Sequence, residues 1–134
     1  MAFSKTLYLF SEVHGTVLLH GQPVQGVEVE QDYHWHWGEQ KRTTTVTTDA
    51  QGRFHFAEVT GTSWTAGLLP HEPVIVQRLT LRYQGKEHTG WFMAKHNYDR
   101  RGEVKGRPLA LVCDLAHEAV AHPDTETFGI CVLK

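Results

Sequence analysis

Residues 32–38 run Asp32, Tyr33, His34, Trp35, His36, Trp37, Gly38, and two kinds of chemistry are open to them. The imidazoles of His34 and His36, two positions apart, can supply two nitrogen ligands to zinc or another divalent metal, which wants three or four. No third ligand lies beside them, so Asp32, Glu30 or a distant His55 or His14 would have to complete the set. Tyr33, Trp35 and Trp37 offer the second chemistry. Large aromatic side chains with a polar edge anchor protein interfaces, because they bury much area at little rotamer cost.

The element that must present these groups follows from alternation. Val27, Val29, Tyr33, Trp35 and Trp37 fall on odd positions, and Glu28, Glu30, Asp32, His34 and His36 on even ones. A period of two predicts a strand with an aromatic face and a face of carboxylates and imidazoles, and Gly38 predicts a hairpin tip directly after Trp37. The bland reading has Tyr33 continuing a core stripe while Trp35 and Trp37 cover the end of the fold. The sharper one has the strand outrun the core and present Tyr33, Trp35 and Trp37 to a partner. For His34 and His36 a solvated strand end is preferred over a metal centre.

A second chemistry-bearing stretch lies at 95–108, polar and glycine-containing, with Lys95, Arg100, Arg101, Lys105 and Arg107. As the longest predicted loop it is either simply solvated or a clamp for an anion or an acidic partner. His88, His96, His117 and His122 stand in polar contexts and read as surface residues. The chain contains no G-x-S-x-G elbow, C-x-x-C pair, H-E-x-x-H helix or phosphate-binding glycine loop. No catalytic residue and no cofactor is therefore expected.

The 134 residues suit one domain spanning 1–134, with 40% hydrophobic and 21% charged residues as in ordinary globular chains. A formal net charge of -2 argues against nucleic-acid or membrane-surface partners, although ten histidines would raise it near pH 6. The opening residues lack the pattern of a secretory signal, so a cytoplasmic location is expected over a periplasmic one. Cys113 and Cys131 sit in apolar runs and are expected as buried free thiols; they would pair only if their strands are neighbours and the protein is exported.

Turn chemistry divides the chain into short alternating runs: VHGTVLLHG, GVEVEQDYHWHW, TTTVTTD, RFHF, VIVQRLTLRY, EHTGWFMA, LALVCDL and FGICVL. Seven or eight strands and at most one short helical turn, within 116–121, predict an all-β two-sheet sandwich. Asp49 to Phe56 reads as a turn at Gly52 inside a hairpin, and Gln84-Gly85-Lys86 as the turn joining the two runs beside it. Val17, Leu19, Val27, Val29, Phe54, Phe56, Leu79, Leu81, Leu111, Cys113, Ile130 and Val132 form the expected core.

The first half carries a recognisable pattern: Gly15, Val17, Gly21, Pro23, Val24, Gly26 and Val27, then Thr48, Asp49, Gly52 and Phe54. It resembles the carboxypeptidase regulatory-like and transthyretin-like sandwich domains over about residues 13–59. The hydroxyisourate hydrolases of that fold use histidines, an arginine and a C-terminal tyrosine-arginine-glycine-serine sequence; this chain ends ICVLK, so none of their catalytic residues carries over. Through LFSEVHGTV, LLPHEPVIVQ and FGICVL the whole chain is similar to a family of small stand-alone bacterial proteins associated with type VI secretion loci. That resemblance implies an immunity protein, which neutralises a cognate toxin by binding it.

The leading expectation is thus a non-enzymatic, protein-binding sandwich with contacts at Tyr33, Trp35, Trp37, Lys95, Arg100, Arg101 and Lys105. A carbohydrate- or small-molecule-binding domain using Trp35, Trp37, Trp64 or Trp91 as stacking platforms is the alternative. A metal-dependent hydrolase built on His34 and His36 ranks third. The oligomeric state is left open.

Overall fold

The computed structural model describes residues 5–134. The reading of the opening stretch as no export signal falls partly on residues 1–4, outside the described residues. In chain order the strands are β1 (Thr6–Phe10), β2 (Val13–Leu19), β3 (Gln22–Pro23), β4 (Glu28–Trp35), β5 (Gln40–Thr47), β6 (Arg53–Phe56) and β7 (Val59–Thr62). After the single-turn helix α1 (Trp64–Leu68) come β8 (Ile75–Tyr83), β9 (Lys86–Lys95), β10 (Leu109–Asp114), β11 (Val120–His122), β12 (Thr127–Gly129) and β13 (Cys131–Leu133). The longer core strands β2, β4, β8, β9 and β10 follow the apolar alternation.

An antiparallel six-stranded sheet, ordered β11-β12-β9-β8-β4-β5, forms one layer. The other is ordered β13-β10-β2-β3, with β6 also paired to β2, and its β2–β10 pair is parallel. A ribbon of β1 and β7 completes the all-β sandwich. The inward faces meet in one core: Val29, Tyr33 and Trp35 of β4, Leu79 and Leu81 of β8, and Trp91 of β9, with Val13, Val17, Phe54, Phe56, Leu109 and Leu111 from the other sheet. Fully burying each aliphatic or aromatic side chain is worth about 1.5–3 kcal/mol. Of the expected core, only Val132, which is exposed, and Leu19, which is partly buried, fall outside it.

The glycines of the 13–59 pattern have local reasons. A Cβ on Gly15 would collide with the Phe54 ring, which lies directly over it from the paired strand. Gly52 has φ 74° and lies close against the Val17 carbonyl, a backbone position that only glycine takes without strain. Thr48 and Asp49 fix the corner between them. The Thr48 hydroxyl donates to the Val24 carbonyl (2.7 Å) and accepts from the Val27 N–H (2.9 Å), while the Asp49 carboxylate accepts from the N–H groups of Gln51 and Arg53.

Several expectations need correction. The Asp49–Phe56 segment is not a hairpin: β5 and β6 belong to different sheets, and the turn carries the chain across the sandwich to pair with β2. The strands number thirteen among the described residues, because short pairings such as β3 and β11–β13 are set by neighbours rather than by their own alternation. The stretch expected to hold a helical turn instead leads into the β11–β12 hairpin. The helix stands at Trp64–Leu68, where the Ser63 hydroxyl accepts from the Ala66 N–H (3.2 Å) and caps it. By contrast the Gln84-Gly85 turn is as expected, with φ of 50° and 75° as a two-residue hairpin turn demands.

The free-thiol expectation is also overturned. Cys113 and Cys131 are directly opposed on β10 and β13 and form a disulfide. Each thiol was expected to serve only as a small buried side chain; register, which spacing alone does not reveal, places the two face to face. A second long-range tie lies at the same end of β10. The Asp114 carboxylate accepts from the N–H groups of His20, Gly21 and Ala116 at 2.9–3.1 Å, clamping the β2–β3 turn. Burial pushes its pKa up, but those backbone bonds, from Ala116, Gly21 and His20, more than offset that and hold it below the ordinary value.

The disulfide closes a loop of sequence separation 18, so Cys113→Ser is expected to lower stability in urea unfolding by about 3 kcal/mol on chain-entropy grounds. Protein folded under oxidising conditions should have an intact mass two hydrogens below the fully reduced formula. Asp114→Ala should cost about 1–3 kcal/mol at neutral pH. A depressed carboxyl pKa contributes stability that is complete above the unfolded value and is lost as pH falls through the native one. The gap between wild type and Asp114→Ala should therefore narrow below pH 3.8, read from urea unfolding of both at pH 7 and pH 3.

Candidate functional site

Strand β4 ends at Trp35, and residues 36–39 form the tight turn into β5. The alternation consequently stops before Trp37. Tyr33 and Trp35 are only 4% and 2% exposed, which corrects the expectation that they face a partner. The Tyr33 hydroxyl accepts from the Gln40 side-chain amide (2.7 Å), and the Trp35 ring is packed against Gly38 and Gly61, where a Cβ would strike it. Trp91, 1% exposed, is likewise no stacking platform, since its indole N–H donates to the Gln77 side chain in the core. Only Trp37 of the aromatic run reaches the surface.

Trp37 stacks on His71 with ring centroids 3.9 Å apart, and its indole N–H donates to the Thr65 hydroxyl of α1 (3.2 Å). The His71 Nε2 accepts from the Tyr98 hydroxyl (2.6 Å) if its Nδ1 donates to the Leu69 carbonyl (2.9 Å), the tautomer that satisfies both contacts. Tyr98 in turn accepts from the indole N–H of the buried Trp35 (3.1 Å). Burial pushes the Tyr98 hydroxyl pKa up, with the Trp35 bond acting the other way. This chain of contacts joins the β4–β5 turn, α1 and the start of the 96–108 segment.

Around that junction the surface is unusually apolar. Trp37 is 36% exposed, Trp64 58%, Leu68 59% and Leu69 51%. Beside α1, a cleft of about 360 Å³ is lined by Leu7, Tyr8, Ala66, Gly67, Tyr98 and Arg100 among others. The turn and the basic segment, far apart in sequence, thus meet at one end of the sandwich. Arg100 lies within this cleft and is ion-paired with Glu58 at 3.4 Å, while Arg101 and Lys105 are exposed on the same segment. Sequence reasoning passed over Leu68, Leu69, His71 and Tyr98, none of which stands in a chemistry-bearing pattern of its own.

Lys95 is a further correction. It ends β9 pointing inward, 1% exposed, and its ammonium donates to the carbonyls of Tyr8 (2.6 Å), Asn97 (3.0 Å) and Asp99 (2.9 Å). It holds the 96–108 segment in place rather than meeting a partner. Burial pushes its pKa down, opposed by the nearby charges of Glu103 and Asp99. The segment is no free loop either. Glu103 and Val104 are buried, and the Glu103 carboxylate accepts from the Ser11 N–H (2.8 Å), the Ser11 hydroxyl and the Gln77 amide (2.8 Å).

The metal candidates separate. The His34 and His36 rings lie 4.1 Å apart, with His34 Nε2 3.8 Å from Glu39, and no third ligand completes a cluster with them among the described residues. His14 and His55 are on the other sheet, beside each other and Glu12. Hydrogen bonds from His55 first and His14 second hold the Glu12 carboxyl below its ordinary pKa.

Residues 13–118 match the model of a family described as a domain of unknown function (DUF6795). No curated protein and no solved structure matches the chain.

Lys95→Met removes three charge-assisted bonds and is expected to cost about 2–4 kcal/mol. Because the native pKa lies below 10.5, the folded state releases its proton first, and stability from this group rises with pH through that window. The difference in unfolding free energy between wild type and Lys95→Met should accordingly grow on raising the pH toward 10.

Proposed function

The chain belongs to the family described as a domain of unknown function (DUF6795), and we propose that it is a non-enzymatic, protein-binding β-sandwich. One observation carries the reading: Trp37, Trp64, Leu68 and Leu69 are left 36–59% exposed around α1, beside the basic segment bearing Arg100, Arg101 and Lys105. Grouped large apolar side chains with an adjoining arginine have the make-up of an interface hot spot, where tryptophan and arginine dominate binding energy. The excess of cations on the segment suits an acidic partner surface.

The proposed partner is a cognate protein toxin or effector, which the chain would neutralise by occlusion as an immunity protein of a type VI secretion system. This partner class, and the transthyretin-like or carboxypeptidase regulatory-like kinship of the sandwich, rest on the sequence resemblance. The compartment is part of the proposal. A cytoplasmic home is the expectation from sequence, whereas the Cys113–Cys131 pair favours an oxidising one. For an immunity protein that difference decides where the toxin is met, and we favour the oxidising side. The structure holds no transmembrane helix among its described residues.

Co-expression with the product of the adjacent gene tests the reading, with growth rescue and co-elution on size exclusion expected. Trp64→Ala combined with Leu68→Ala should leave thermal unfolding within about 0.5 kcal/mol of wild type yet weaken the complex by at least about 2 kcal/mol, roughly thirtyfold. Arg100→Glu should slow association and flatten its salt dependence. Absence of both rescue and complex would reject the partner; a complex indifferent to all three substitutions would reject this surface.

A further inference from the structure

We propose that Glu12, His14 and His55 form a binding site for a divalent transition-metal ion, on the face of the sandwich that the protein-binding reading does not use. His14 and His55 are directly opposed on the antiparallel pair β2–β6. Their neighbours Val13, Val17, Phe54 and Phe56 are buried, so both imidazoles stand on the outer face of the five-stranded sheet. Directly opposed residues hold their Cβ atoms about 5 Å apart, and the two rings lie with centroids 4.6 Å apart. Alternation thus delivers two nitrogen ligands from two strands rather than from one.

Glu12 supplies the third donor. Its Oε1 is 3.2 Å from His14 Nε2, and its Oε2 is 2.8 Å from His55 Nε2, so both imidazole nitrogens converge on one carboxylate. All three donor atoms lie within 4.8 Å of one another. An ion held at about 2.0–2.2 Å from each would take the place of the two hydrogen bonds. Each neutral ring would then carry its proton on Nδ1 and offer Nε2 to the metal. Little movement is needed, because Glu12 follows Ser11, whose N–H and hydroxyl are both fixed on the buried Glu103 carboxylate.

The donor set selects the cation class. Two imidazoles and one carboxylate suit zinc, iron(II), cobalt, nickel or copper, whereas magnesium and calcium prefer oxygen ligands. The side chains are 49–66% exposed, so the remaining coordination positions open to solvent. That is the pattern of three protein ligands with an exchangeable water, rather than of a closed structural centre. The position stays available for water, a small anion or a donor from another molecule. His34 and His36, which have no third ligand among the described residues, provide an internal comparison of two neighbouring imidazoles that do not converge on one carboxylate.

The experiment uses the full chain prepared without an affinity tag and stripped by chelator, titrated with zinc chloride by calorimetry and with cobalt(II) by visible absorption. One equivalent per chain is expected. His14→Gln, His55→Gln and Glu12→Gln should each weaken binding more than about tenfold, while the His34→Gln/His36→Gln double variant binds as wild type does. In the unsubstituted protein, zinc should shift the ring NMR signals of His14 and His55 and leave those of the other eight histidines in place. The NMR result does not depend on how any variant folds. No saturable uptake at micromolar zinc, or uptake lost in the His34/His36 variant but kept in the other three, overturns the site.

Discussion

The buried carboxylate of Glu103 is the contact on which the arrangement of this molecule turns. It reaches in from the 96–108 segment to accept from both donors of Ser11 and from Gln77. Gln77, itself fully buried on β8, also donates to the Leu9 carbonyl and accepts from the Trp91 indole. A charge taken from water is costly unless its lone pairs are filled, and here three donors from the β1–β2 link and β8 fill them. The network therefore locks a long connection onto the core. Without it the segment bearing Tyr98 and Arg100 and the link bearing Glu12 would each lose its fixed position.

Lys95 does the complementary work with the opposite charge, satisfying three backbone carbonyls where regular pairing has ended. Polar residues thus replace ladder hydrogen bonds at the end of the sandwich where α1, the β4–β5 turn and the 96–108 segment meet. Such a junction is specific as well as stabilising, because a displaced segment would leave several buried groups without partners. It also explains why charged and aromatic residues of similar appearance have different fates. Lys95 and Trp35 are internal struts, while Arg101 and Trp37 lie a few residues away on the outside.

Much of the fold was legible in the sequence because alternation is a direct record of which side chains face inward. Val27, Val29, Leu79 and Leu81 were placed in the core by period alone, and they are there. What alternation does not contain is partnership between distant strands. The disulfide, the crossing of the chain between sheets after Thr48, and the meeting of Glu12 with His14 and His55 all depend on register across the β2, β6, β10 and β13 pairings. The aromatic run misled for a related reason: it continues the period by composition through Trp37, although the backbone turns after Trp35. Lys95 misled because residue type suggests solvent, although the alternation of β9 through Trp91 and Met93 points it inward.

The parallel pairing of β2 with β10 has a consequence for the route by which the chain reaches this structure. Leu109 to Asp114 lie beside Val13 to Leu18, so one edge of β2 has no partner until most of the chain has been synthesised. The β4–β5 and β8–β9 hairpins, closed by short turns, can form from local sequence. The five-stranded sheet must wait for a long loop to close, and that entropy is lost before the contacts that compensate it are made. During synthesis the β4, β5, β8 and β9 part of the six-stranded sheet would therefore present an incompletely covered apolar face. Strands β10 and β13, in the last quarter of the chain, complete the opposing sheet, which makes late translation the vulnerable interval for aggregation.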